Sequence, residues 1–366
     1  MIRILPYQEM FEEGVRLLCR IPVSGNISLT LEREPSYLLG AKVQCEQEEV
    51  YVAWEDQHAA VWAVFNIGKR RLWHQHELVW VRYMCDLRIH PDKQNSSLLF
   101  SLIKKFKELT QDDVLPAQTV VFRDNYKMNS FIDRVVQRGG SSGIPHYHPV
   151  GQLNTYLCAP RGKQQNLPGL QVRKASREDL PVMQAFMDQE GSQINYFPYY
   201  NFAELGNAYY RGLKIEDFYL LFENGKLVGM TSIWDQGFFK QTRIAAYSSF
   251  FRLARPFYNM VVNFSNKPKL PPAGEVLHYC YLHCILIAER NPTFFEILLR
   301  YIQNDLSNRS FDYLFCSLDA NDPLVSTVNR VGYLRKISGN YFLVNLQSSL
   351  SSEFSTPFFY LEGARI

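Results

Sequence analysis

The 366-residue chain presents one order of elements twice. Residues 1–158 and 170–347 each read as a strand, an amphipathic helix, a short helix, a hairpin, one long strand, a helix, a strand, a helix and a terminal strand pair. An order repeated over so long a period means two copies of one domain, so every motif in one copy can be checked in the other. The 46% hydrophobic content supplies apolar material for two cores, and a prior of roughly 100 to 200 residues per domain agrees. The turn-rich stretch 159–169, with Pro160, Gly162 and Pro168, reads as the linker, and 348–366 as a C-terminal tail.

The halves align across unrelated letters. A strand at 3–5 precedes a helix at 7–20, and a strand at 171–173 precedes Ser176, a helix N-cap with Asp179 three residues on. Hairpins follow at 50–67 and 218–234, the second turning at Asn224-Gly225. Long strands at 78–89 and 275–287 run into helices at 97–109 and 293–306. Strands at 119–122 and 313–317, helices at 125–138 and 323–330 and a terminal hairpin close each half.

Composition excludes several classes. A net charge of +3 is too small for a general polyanion binder. No apolar run approaches the ~20 residues that span a bilayer, and Glu9, Glu12 and Glu13 interrupt any leader pattern, so a cytoplasmic location is expected. The seven cysteines include no CxxC pair, and several sit inside apolar strand patterns where a thiol packs as a small hydrophobe, so no disulfide scaffold is expected. His74 with His76, and His146 with His148, would share a face if on strands, as a metal site could use. Neither pair has a Cys or carboxylate cluster of suitable spacing, so structural or surface histidines are preferred and no metal is expected.

The segment Leu87-Arg88-Ile89-His90-Pro91-Asp92-Lys93-Gln94-Asn95-Ser96-Ser97-Leu98-Leu99 resembles the strand, His-Pro-Asp and Gln/Arg-x-x-Gly-x-Gly/Ala helix opening of the GNAT acyltransferases. Amides at a helix start, with the macrodipole behind them, suit a pyrophosphate. The resemblance implies an α+β (mixed α/β) fold of two tandem GNAT-like domains, each a twisted mixed sheet flanked by helices. Trp234-Asp235-Gln236, Phe239-Lys240-Gln241-Thr242, Arg255-Pro256, Lys269-Leu270-Pro271-Pro272 and the terminal Tyr360-Leu361-Glu362 resemble a bacterial group of such tandem proteins. Asn321-Asp322-Pro323 and Val331-Gly332-Tyr333 match the family's ending in the second half.

What the resemblance implies is an acyl-CoA-dependent N-acyltransferase, with acetyl-CoA or another acyl-CoA held in the first half by Leu87, Ile89, Gln94, Asn95, Ser96, Ser97 and Asn125. Leu99 stands at the second small position, where it would crowd or shift the cofactor. In the second half Phe295 stands there, so that copy is expected to bind no coenzyme A and to shape the acceptor pocket. Amine acyl transfer needs a base, oxyanion donors and an acid for the thiolate. The implied oxyanion donor is an amide near Leu87. Asp86 is the candidate base, against a plain ion pair with Arg82 or Arg88. The family's late-helix tyrosine is replaced by Val136 and Val328, leaving Tyr126 as the nearest acid, against a packing role.

The stretch 236–274 contains no Asp or Glu, yet carries Lys240, Arg243, Arg252, Arg255, Lys267 and Lys269 among aromatics that include Phe250, Phe257 and Phe264. It reads as an insertion in the fold. An amphipathic cover between domains is the preferred reading. A surface for nucleic acid, membrane or an acidic ligand is the alternative. The expected partner is a small-molecule or peptide amine, with a phosphate or carboxylate suited to arginine forks. A non-catalytic pair serving as scaffold or sensor is the rival function, and an aminoacyl transferase of the peptidoglycan-bridge type a third.

Overall fold

The computed structural model describes all residues except 24, 95–96, 138–143, 163–167, 263–267, 347–349, 351–353 and 355. The first half runs β1 (Ile2–Pro6), α1 (Glu12–Cys19), β2 (Ile27–Glu32), α2 (Tyr37–Gln44), β3 (Val50–Glu55), β4 (Ala60–Asn66), β5 (Lys69–His74) and β6 (Glu77–Ile89). It continues with α3 (Leu98–Thr110), β7 (Ala117–Phe122), α4 (Tyr126–Gln137) and β8 (His146–Cys158). The second half runs β9 (Leu170–Lys174), α5 (Leu180–Phe186), β10 (Phe218–Glu223), β11 (Lys226–Trp234), β12 (Gln241–Tyr247) and α6 (Ser249–Val262). It ends with β13 (Tyr279–Ile287), α7 (Pro292–Leu306), β14 (Tyr313–Asp319), α8 (Val325–Val331) and β15 (Arg335–Asn345).

Local chemistry accounts for many of these elements. Asn224 and Gly225, at φ +48° and +82°, make the tight turn between β10 and β11, where glycine meets no steric penalty. Ser176 and Asp179 form a reciprocal capping box at the entry to α5. In α7, Phe295, Leu298, Leu299, Ile302 and Leu306 recur at helical spacing and are fully buried, each contributing about 1.5–3 kcal/mol. The predicted first helix is shorter than its pattern. Residues Glu9–Phe11 form a 3-10 turn, and the α-helix proper begins at Glu12.

One sheet joins both halves, in the order β1-β3-β4-β6-β7-β15-β8-β14-β13-β11-β10-β9, with β5 paired to β6. The terminal hairpins expected from the sequence are replaced by an exchange. Each half ends in one long strand, and β15 from the second half pairs with β7 while β8 from the first half pairs with β14. The two also pair with each other, from Arg335 opposite Leu157 to Asn345 opposite His146. Both candidate arrangements bury the same alternating faces, so the strand pattern alone does not choose between them.

Other contacts lock the halves together. Strand β12 from the insertion pairs with β2, and Arg243 binds Glu32 at 2.9 Å. Trp73 exchanges backbone hydrogen bonds with Phe197 and Tyr196 at the free side of β5. A core cluster containing Leu72, Val81, Tyr83, Leu153, Tyr341, Leu343 and Leu361 draws on both halves.

His74 and His76 do not share a strand face. His74 ends β5 and is buried, whereas Gln75 and His76, at φ +49° and +68°, form the turn into β6. His146 and His148 lie on β8 with stacked rings, and His148 meets Asn345 at 3.1 Å. Among the described residues no three His, Cys, Asp or Glu side chains are grouped to hold a metal.

Candidate functional site

Two forks open in the sheet, one in each half. Strands β6 and β7 are paired in parallel only at Tyr83 with Gln118 and Met84 with Thr119, although β6 continues to Ile89 and β7 to Phe122. Strands β13 and β14 part in the same way after Leu282 and Cys316. A bulge accompanies each fork. Asp86 has φ +53° and Cys284 φ +50°, and each lies the same distance before its strand ends at Ile89 or Ile287. A non-glycine residue in this region of backbone space is uncommon, and bulges re-aim amides and side chains beside functional sites.

At the first fork Asp86 and Leu87 have no register partner on β4 or β7. Leu87 is 44% exposed, which opens this part of the strand to solvent. The Asp86 side chain is 9% exposed, and Arg33 Nη2 donates to its Oδ1 at 3.1 Å and Oδ2 at 3.0 Å. Neither Arg82 nor Arg88 takes that place. Arg82 binds Asp113 and Glu49, and Arg88 donates to the Leu31 carbonyl at 3.3 Å. Burial pushes the Asp86 carboxyl up, but the charges of Arg33, Arg88 and Lys240 outweigh it and hold the group below the usual carboxylate range.

Lys240, like Arg33, is a residue at this site whose position the sequence does not reveal. Its place in a basic stretch reads as a solvated charge, yet its Nζ donates to the Ile366 main-chain oxygen at 2.6 Å and stands 4.9 Å from the Tyr281 ring. Burial and the neighbouring Arg33 lower its ammonium to about 7, against the opposing pull of Asp86. The signal in the sequence is Trp234 to Lys240 following a buried strand without a break, but nothing there marks Asp86 as a neighbour.

The mouth of the first fork is framed by the loop after β6 and the start of α4. Lys127 Nζ donates to Gln94 Oε1 at 2.7 Å, and Gln94 Nε2 donates to the Ile89 carbonyl at 3.2 Å. Gln94 thus ties the loop to α4. Asn125 Oδ1 accepts from the Met128 amide at 3.2 Å as a helix cap, and Tyr126 beside it is 77% exposed. Ser97 precedes α3 without capping it through its side chain. Leu98 is buried in the core and Leu99 half-buried outside it. Asn95 and Ser96, two of the expected cofactor contacts, lie outside the described residues.

The second fork is filled. The Cys284 amide donates to Glu362 Oε2 at 2.8 Å, and the Ile285 amide to the Tyr360 hydroxyl at 3.2 Å. The amides corresponding to those of Asp86 and Leu87 are therefore occupied by residues 360–362 of the same chain. Burial raises the Glu362 carboxyl against hydrogen bonds from the Cys284 and Ala364 amides and the charge of Arg365. Arg365 is wholly buried, donates to the carbonyls of Val43 and Tyr209, and lies 3.6 Å from the Tyr209 ring. Gly363 lies against Ser317 on β14, where an added Cβ would meet Ser317 Oγ at 2.1 Å.

The helix beyond the second fork is also closed. Only residues 288–291 separate β13 from α7, against 90–97 between β6 and α3. Asn291 caps the Thr293 amide at 2.9 Å, Pro292 has no amide hydrogen, and Arg290 binds Asp322. The Phe295 ring belongs to the core. A recess of about 550 Å³ beside the β5–β6 turn is lined by Lys69, Glu77, Trp80, Arg82 and Asp113. Lys69 and Arg82 both pair with Asp113, and the recess does not include the bulge.

No protein-family model and no curated protein matches this sequence. Solved structures do. A GCN5-related N-acetyltransferase from Sphaerobacter thermophilus is 13% identical with a TM-score of 0.53, covering 84% of this chain and 83% of its own. One from Anabaena variabilis is 11% identical at 0.52, covering 94% and 72%. Saccharomyces cerevisiae N-myristoyltransferase with bound myristoyl-CoA and inhibitors is 10% identical at 0.60, covering 98% and 87%. With the two forks, the two bulges and the single mixed sheet, these likenesses show that the chain has the fold of the GCN5-related N-acyltransferases, built as two units in tandem.

Proposed function

We propose that the protein is an acyl-CoA-dependent N-acyltransferase whose acyl donor enters the first fork, with the second half shaping the acceptor side. The division at 159–169 into units 1–158 and 170–347 is part of this proposal. The observation that carries it is the asymmetry of the forks. Strands β6 and β7 separate beside an exposed bulge, whereas the matching amides of β13 are bound by Glu362 and Tyr360. The Leu87 amide is the oxyanion donor in this reading, and the loop around Gln94, Ser97 and Asn125 meets the cofactor's phosphates and amides, with Lys127 adding a positive charge.

The acceptor arrives as an ammonium and gives one proton to a base before its nitrogen attacks the thioester carbon. Lys240, lowered to about 7, suits that role better than Asp86, whose carboxylate is engaged by Arg33 and is a weak base. Asp86 then acts by holding Arg33 and setting the local field. Collapse of the oxyanion expels the coenzyme A thiolate, and Tyr126, at the opening of α4, gives its proton to sulfur. The second proton leaving the amide nitrogen restores the phenol through water at the open mouth, while Lys240 later releases its own proton to solvent. If neutral Lys240 is the base, transfer rises with pH through about 7 and levels above it.

Calorimetric titration with acetyl-CoA tests the cofactor. Binding near one site per chain supports the reading, and no heat at millimolar ligand overturns it. The N-myristoyltransferase likeness makes acyl length the next variable, read by thiol release with acetyl- to myristoyl-CoA and a panel of amines.

A further inference from the structure

Helix α6 turns its apolar stripe away from the protein. Phe250, Leu253, Phe257, Met260 and Val261 fall on one face at helical spacing and are between 59% and 73% exposed, and Val262 alone in the helix is buried. Polar bonds hold the opposite side. Asn259 donates to the Leu270 carbonyl at 2.9 Å and accepts from the Leu270 amide at 2.8 Å, and the same 268–272 segment is held from β12, where the Tyr247 hydroxyl donates to the Pro271 carbonyl at 2.6 Å. Single exposed hydrophobes are ordinary, but a contiguous row of five marks an interaction surface.

Within the segment 236–274 that carries this row the charge has one sign, with Glu275 and Asp312 the carboxylates nearest to it, beside Tyr247 and Tyr313. Arg243 is paired with Glu32, but Arg252 and Lys269 are exposed, and among the described residues no carboxylate lies within salt-bridge distance of either or of Arg255. The sequence from 236 to 274 contains no acidic residue to repel an anionic surface. Fourteen residues of helix reach about 21 Å, short of the ~30 Å hydrocarbon thickness, so α6 suits lying in an interface and not crossing one.

We propose that α6 docks the protein on an anionic lipid surface, its apolar row entering the acyl boundary and Arg252 and Lys269 meeting the head groups. The test is cosedimentation of the full chain with vesicles of phosphatidylcholine alone or with one quarter phosphatidylserine. The proposal expects at least tenfold stronger partitioning to the anionic vesicles. It expects a loss of tenfold or more in Phe250→Asp/Phe257→Asp, and a loss of about fivefold per charge removed in Arg252→Ala and Lys269→Ala. An unchanged thermal midpoint separates these losses from misfolding. Equal partitioning to both vesicles, or none to either, overturns the proposal. So does a monomer–dimer equilibrium abolished by the aspartate pair without any vesicle binding, which would assign the row to a second copy.

Discussion

The two forks share one backbone design and differ in what touches the bulge amides. In the first, a positive-φ aspartate is held by Arg33, and Leu87 next to it is exposed. In the second, a positive-φ cysteine and the isoleucine after it donate to Glu362 and Tyr360. A backbone that presents unpaired donors must satisfy them with water, ligand or protein. The second half has used its own chain, and a shorter loop and a phenylalanine close the neighbouring helix. The lesson is that duplicated geometry need not mean duplicated sites.

The largest expected effect comes from undoing the filled fork. Arg365→Ala removes a buried guanidinium that binds two carbonyls and leaves Glu362 without its charge partner, so urea unfolding should show a loss of about 3–5 kcal/mol. A loss below about 1 kcal/mol would mean that the tail is not integral to the second half. Arg33→Met is the counterpart in the first half. It strands the largely buried Asp86 side chain, should cost a similar ~3–5 kcal/mol, and should remove acyl transfer as well, which Arg365→Ala at permissive temperature should not.

Smaller changes sharpen the comparison. Gly363→Ala places a methyl on Ser317 and should destabilise by about 1–3 kcal/mol, measured as a shift in the urea midpoint. Asp319 ends β14, and burial raises its carboxyl to about 6, opposed by the Asn321 and Gln152 backbone. Between its ordinary value near 4 and that value the folded chain holds a proton the unfolded chain has lost. Wild-type stability therefore falls as pH rises across this window and is level above it. Asp319→Asn should remove that fall and stabilise the protein at pH 7 by roughly 1–3 kcal/mol, with the advantage vanishing below about pH 4. Tyr126→Phe, on an exposed helix start, should leave stability within about 0.5 kcal/mol and lower turnover about tenfold, because water at the open mouth can supply part of the proton return.

Much of the frame was legible in the sequence. The long strands feeding α3 and α7, the Asn224-Gly225 turn and the Ser176 capping box follow from local periodicity and turn chemistry. The exchange of β8 and β15 was not, because the inward and outward faces of a strand are the same whichever neighbour it takes. Strand β12 was hidden for a related reason, its partner β2 lying more than two hundred residues away in the chain. At the site, the bulge strand and the helix after it were readable from Leu87 to Leu99. Arg33 as the partner of Asp86, Lys240 beside them and Glu362 in the second fork were not, since each charge reads as exposed until the fold buries it.

Hydrogen exchange with and without acetyl-CoA tests the central claim most directly. Added protection confined to the first fork, residues 84–90 and 119–126, with 282–287 unchanged, is the predicted result. Protection appearing in 282–287, or in neither fork at saturating ligand, would contradict the assignment of the open site to the first half.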